Sequence, residues 1–186
     1  ASGVVHEELH SKSFSEKGGN FEMVQLWVNL PKAKKMSSPN YQGVKDQQFP
    51  RFTLGNSCEG RLIAGKVEEK KGPCSTHTAM NVFDLSFQSQ ESLSIRLEEK
   101  TNTVLFVLRG SIEIDKKPYG EKEILALSRE GKDLLVRGEK GSKVLVLNAE
   151  PIDEPIFAYG PFVMNTREEV VQAFDDYQSG KMGHLK

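Results

Sequence analysis

Between Val24 and Leu30 the apolar residues Val24, Leu26, Val28 and Leu30 take every second place, with Gln25, Trp27 and Asn29 between them. A period of two lines one face of an extended backbone, so the pattern predicts a strand. Phe83, Leu85 and Phe87 repeat it, as do Leu93, Ile95 and Leu97. Val104–Leu108 is a continuous apolar run closed by Arg109-Gly110, after which Ile112 and Ile114 alternate with Glu113 and Asp115. That order reads as a buried strand, a tight turn and a half-exposed return strand, which is a hairpin. Ile124–Leu127, Leu134–Arg137 and Lys143–Leu147 add further strands, punctuated by Gly120, Gly131, Gly138 and Gly141. Short strands this closely spaced predict an all-β sandwich or barrel.

One segment reads as a helix. Thr166 and Glu169 form a T-x-x-E capping box, Val170, Phe174 and Tyr177 then recur at helical spacing, and Gly180 ends the run. The turn-rich stretches Pro31–Gly43 and Gly55–Gly60 read as loops, and Pro151–Pro161 as a connector to the helix. A break near Phe49–Phe52 separates residues 1–48, with too few strands for a core of their own, from the larger β region.

Composition narrows the function classes. With 186 residues, 37% hydrophobic and 27% charged, the chain can bury one good core or two small ones. Its 25 basic and 26 acidic residues give a net charge of -1 without a block of either sign, which excludes binding nucleic acid by neutralising many phosphates. No apolar run approaches the ~20 residues a bilayer demands, and the first residues lack a signal-peptide pattern, so no membrane association is expected and the chain reads as soluble and cytoplasmic. Cys58 and Cys74 lack the spacing of a metal clip or redox pair and read as reduced thiols.

The strongest candidate chemistry lies in His6-Glu7-Glu8-Leu9-His10. On an extended backbone His6, Glu8 and His10 share a face, and imidazole and carboxylate suit iron, manganese, zinc or nickel. At ~3.3 Å per residue His6 and His10 stand about 13 Å apart, whereas His6 and Glu8, about 7 Å apart, can converge on one ion. His6 and Glu8 are therefore the candidate metal ligands, against the plainer reading of a polar strand face. His77 sits alone between Thr76 and Thr78 and reads as a structural histidine, and His184 as a tail residue. The lysines at 32, 34 and 35 and the run Glu68-Glu69-Lys70-Lys71 read as solvated loops. No G-x-S-x-G, P-loop or G-x-G-x-x-G motif supports acyl transfer, nucleotide hydrolysis or dinucleotide redox chemistry.

Three stretches together resemble the pirin family of bicupins: Gly3-Val4-Val5-His6-Glu7-Glu8; Val24-Gln25-Leu26-Trp27-Val28-Asn29-Leu30-Pro31 with Lys35-Met36 and Pro39-Asn40-Tyr41-Gln42; and Gly160-Pro161-Phe162-Val163-Met164-Asn165-Thr166. The resemblance implies cupin-type β-barrels, or double-stranded β-helices, with a C-terminal helix. It divides the chain into the trailing part of a truncated N-terminal cupin (1–48), a C-terminal cupin (49–157) and a C-terminal segment and helix packing back on the barrels (158–186). In this family the N-terminal cupin holds a single iron, Fe(II) or another divalent metal, by three histidines and one glutamate. His6 and Glu8 match the last two ligands, while the H-x-H pair that family members carry upstream has no counterpart here. With two ligands of four, metal binding by these residues alone is expected to be weak or absent. The second cupin, with only His77, is expected to be metal-free.

The resemblance implies two functions. One is a quercetin 2,3-dioxygenase-type oxidoreductase, in which a flavonol hydroxyl meets the metal and Glu8 takes its proton as general base. The other is an iron-dependent regulator that docks on transcription factors or metabolic enzymes, which extends the expected location to the nucleus. A truncated barrel also exposes the Val24–Leu30 row, so either further residues cover it or the chain pairs with another, as a strand-swapped or edge-paired dimer.

Overall fold

A computed structural model describes residues 1–185. They form two compact units: Gln42–Pro151, and Ala1–Tyr41 together with the C-terminal part from Ile152.

The Gln42–Pro151 unit contains twelve strands: β1 (Arg51–Leu54), β2 (Cys58–Ala64), β3 (Lys66–Val67), β4 (Lys70–Lys71), β5 (Met80–Phe87), β6 (Glu91–Arg96), β7 (Asn102–Arg109), β8 (Ser111–Ile114), β9 (Lys117–Gly120), β10 (Ile124–Ala126), β11 (Asp133–Gly138) and β12 (Lys143–Ala149). A six-stranded sheet runs β1-β2-β5-β12-β7-β10 and a four-stranded sheet β6-β11-β8-β9, while β3 and β4 form a small hairpin apart. Every pair in the two larger sheets is antiparallel. Alternation did its expected work on β5 and β6, whose Phe83, Leu85, Phe87, Leu93 and Ile95 are buried in one core cluster. The continuous run of β7, expected to be buried throughout, adds only Leu105 and Val107, with Val104, Phe106 and Leu108 half-buried.

The hairpin expected around Arg109-Gly110 does not form. β7 bonds to β12 and β10, whereas β8 bonds to β11 and β9 in the other sheet. Gly110, at φ +70°, turns the chain from one sheet into the other, and a Cβ there would lie 2.6 Å from Ser142 Oγ. That hydroxyl accepts from the Ser111 N–H at 3.0 Å and donates to the Ser111 carbonyl at 2.7 Å, so the corner is held from across the fold. The true hairpin is β8–β9, whose two-residue turn, Asp115-Lys116, has positive φ at both places as the strand twist requires.

The Gly55–Gly60 stretch, expected to be a loop, is only half so: Leu54 pairs with Cys58, which leaves Gly55–Ser57 as the turn and puts 58–60 in β2. The Glu91 carboxylate organises that turn, accepting from the Ser57 hydroxyl at 2.5 Å and from the Asn56 and Ser57 N–H groups at 2.9 and 3.0 Å. These bonds, the Ser57 hydroxyl foremost, hold the Glu91 carboxyl below its ordinary pKa.

The other unit contains the short helices α1 (Lys12–Lys17) and α2 (Lys32–Lys35), the hairpin of β13 (Phe157–Tyr159) and β14 (Phe162–Met164), and α3 (Arg167–Gln178). The capping box is present as read: Thr166 Oγ1 accepts from the Glu169 N–H at 3.2 Å and Glu169 Oε2 from the Thr166 N–H at 3.1 Å. Two expectations fail here. The Pro151–Pro161 connector contains β13, and the helix is not alone, since Ser11 caps α1 by accepting from the Phe14 N–H at 3.2 Å. The strand expected at Val24–Leu30 is also not observed. A strand exists only as part of a ladder, and among the described residues no segment is ladder-bonded to this one. Its apolar row is left exposed, at 43% for Val24 and Leu26 and 49% for Val28. No described helix is long and apolar enough to cross a membrane.

Candidate functional site

The segment carrying His6 and Glu8 has no regular secondary structure and is held by two backbone bonds. Ser2 N–H donates to the Ser37 carbonyl at 2.9 Å, and Val5 N–H donates to the Met182 carbonyl at 3.0 Å, beyond the end of α3. His6 follows directly on the second mooring. It lines a hollow of about 830 Å³ with Val4, Trp27, Lys35, Phe162 and Tyr177 among its walls. Glu8 lies outside that lining, and both side chains are exposed. His10 is engaged elsewhere, its ring packed edge-on to Phe21 at 4.6 Å and tilted against Phe14 at 5.3 Å.

The residue the sequence concealed is Lys35. Read as solvated, it is 5% exposed. Its ammonium donates to Asn29 Oδ1 at 2.6 Å and to the Val163 carbonyl of β14 at 2.9 Å. The turn of α2, which begins at Pro31, brings it inward, and Glu154 fixes that turn by accepting from the Lys32 N–H at 2.7 Å. Asn165 completes the arrangement by donating to Glu154 Oε2 at 3.1 Å and to the Pro155 carbonyl at 2.9 Å. Burial pushes the Lys35 pKa down from its ordinary value, opposed by the charges of Glu154 and Glu169. The only forewarning is the spacing of Lys32 and Lys35 after a proline, which puts them on one side of a helical turn without saying which side faces in.

His77 is exposed and lines a separate hollow of the Gln42–Pro151 unit together with Cys74 and Asn148. Cys58 is fully buried, and desolvation, reinforced by the Glu91 charge, pushes its thiol up to about 12, which leaves it unreactive at neutral pH. Among the described residues no three His, Cys, Asp or Glu side chains converge as metal ligands. His6 and Glu8 are donors of the right chemical type but do not make a set. Two ligands alone do not hold a divalent ion firmly, so His6 and Glu8 could serve a metal only within a larger donor set.

The model of the Pirin C-terminal cupin domain matches residues 82–183. A Pseudomonas aeruginosa protein named "putative quercetin 2,3-dioxygenase" is 40% identical over 182 residues, covering 97% of this chain and 64% of its own. A tomato (Solanum lycopersicum) protein named "Pirin-like protein" is 30% identical over 186 residues, covering 97% of this chain and 62% of its own. The crystal structure of a quercetin 2,3-dioxygenase from Acinetobacter baumannii superposes with a TM-score of 0.90 at 37% identity, covering 95% of this chain and 62% of that one. The chain thus spans a little under two thirds of the length of these relatives.

Proposed function

Because the chain belongs to the pirin family, with a cupin fold, we propose that it is part of a metal-dependent dioxygenase acting on flavonols such as quercetin. The supporting observation is the 40% identity, across 97% of this chain, with a relative bearing a quercetin 2,3-dioxygenase name. His6 and Glu8 then serve as two donors to one divalent ion. The remaining donors come from the part of the protein that the longer relatives possess and these 186 residues do not include. The ion, when bound, supplies Lewis acidity toward the substrate oxygens. The chain's own contribution is more specific. Glu8 accepts the proton of the flavonol hydroxyl, and His6 is held beside an apolar wall containing Trp27 and Phe162 against which a planar ring system can rest.

The test is oxygen uptake with quercetin, using the iron-loaded protein extended by the N-terminal part found in its relatives. Uptake matched to flavonol consumption, abolished in Glu8→Gln, is the expected result. Absence of turnover by the fully loaded, extended protein rejects the enzymatic reading.

A further inference from the structure

The inward rows of β7 and β12 do not stay apolar to their ends. Thr103 continues the buried row of Leu105 and Val107, Asn148 continues that of Val144 and Val146, and the two are partners across the ladder. Both are deeply buried, at 4% and 2% exposure. Asn148 Nδ2 donates to Thr101 Oγ1 at 2.6 Å and to Thr103 Oγ1 at 2.9 Å, which uses both of its hydrogens. Thr101 in turn donates its hydroxyl proton to the Glu98 carbonyl at 2.5 Å. The Thr103 hydroxyl therefore has one of its two lone pairs engaged, and among the described residues no acceptor takes its proton. A buried donor in that condition is costly unless something completes it.

Thr103 lines a hollow of about 280 Å³ at the end of the sandwich, with Leu97, Ile114, Leu127 and Leu134 as apolar walls. This is close to the lower end, about 300 Å³, of the range for small-molecule sites. The charged residues around it are Glu98, Asp115, Glu130 and Asp133 against Arg129 and Lys132. Arg129 is already bonded to Asn102 Oδ1 at 2.8 Å, and Lys132 lies 3.6 Å from Glu99. The excess of carboxylates repels an anion, while a cation on the remaining lone pair would leave the Thr103 proton still without an acceptor. An uncharged acceptor meets both conditions.

We propose that this hollow is a second small-molecule site, independent of the metal reading of His6 and Glu8. It takes a compact, uncharged ligand with an apolar body and one carbonyl oxygen, which accepts the Thr103 proton. Asn148 is the positioning residue, since its bond to the Thr103 oxygen limits the directions in which the Thr103 proton can point.

Acetophenone and ethylbenzene share a shape and differ at the carbonyl, and benzoate adds a charge, so the three probe the site by amide chemical-shift titration of the ¹⁵N-labelled chain. Acetophenone is expected to move the amides of Thr101, Thr103, Ile114 and Leu127 saturably, and to bind about tenfold more tightly than ethylbenzene, roughly the worth of one net hydrogen bond. Thr103→Val brings acetophenone down to the ethylbenzene level, and Thr103→Ser, which keeps the hydroxyl, restores the difference. If the valine variant does not fold, the two-probe comparison on the wild type and on Thr103→Ser decides. Equal binding of the two probes, tighter binding of benzoate, or shifts confined to residues outside the hollow overturns the proposal.

Discussion

Lys35 is a buried charge that its neighbours in sequence do not announce. A lysine between Lys34 and Met36 carries no mark of burial, because a run of basic residues specifies charge and not which way a short turn faces. His6 and Glu8 were legible as donors for the opposite reason: their chemistry is in the residue type and their spacing is local, although what completes them is not. The buried ammonium has a measurable consequence. Its folded-state pKa lies below the ordinary value of 10.5, so between those two values the unfolded chain binds more protons, and stability rises with pH across that window. Urea midpoints from neutral pH to 10.5 are expected to show this rise in the wild type and a flatter profile in Lys35→Met. At neutral pH the same variant leaves Asn29 Oδ1 and the Val163 carbonyl without their donor, and is expected to lose about 1–3 kcal/mol. Parallel profiles for the two proteins would contradict the assignment.

At the level of elements, alternation located strands well and their partners poorly. The rows at Phe83–Phe87 and Leu93–Ile95 were readable because each side chain's facing depends only on its immediate neighbours. Arg109-Gly110 does not distinguish a hairpin from a corner between sheets, because both call for the same glycine and the deciding contact, Ser142, is distant in sequence. Gly110→Ala is expected to destabilise the chain by at least about 1–2 kcal/mol, since it combines a left-handed backbone with crowding against Ser142. Ser142→Ala is expected to cost a similar amount through the unpaired Ser111 amide, whereas a simple hairpin would be indifferent to that residue. The Val24–Leu30 row carries the pattern of a strand without forming one. The period of two is present, but a strand also needs a neighbour, and a local pattern cannot supply one. The α3 capping box lies at the other extreme, with both halves within four residues of each other and formed as read. Thr166→Ala is expected to lower stability by about 1 kcal/mol, measured by denaturant titration, with the loss reduced in Thr166→Ser.

Across the whole molecule, the larger β unit closes a core of its own, while the smaller unit carries both candidate ligands and an exposed apolar row. The chain spans a little under two thirds of the Pseudomonas and Acinetobacter relatives, and the proposal gives these residues only part of the site. An imidazole and a carboxylate are useful to an ion when other donors share the load. The most direct measurement of the central claim is metal content after gel filtration of the N-terminally extended protein, compared with its His6→Ala and Glu8→Gln variants. One equivalent of divalent metal in the parent, with retention lower by about tenfold or more in each variant, is the predicted result. Undiminished retention in both variants would show that the ion is held without them and would contradict the account.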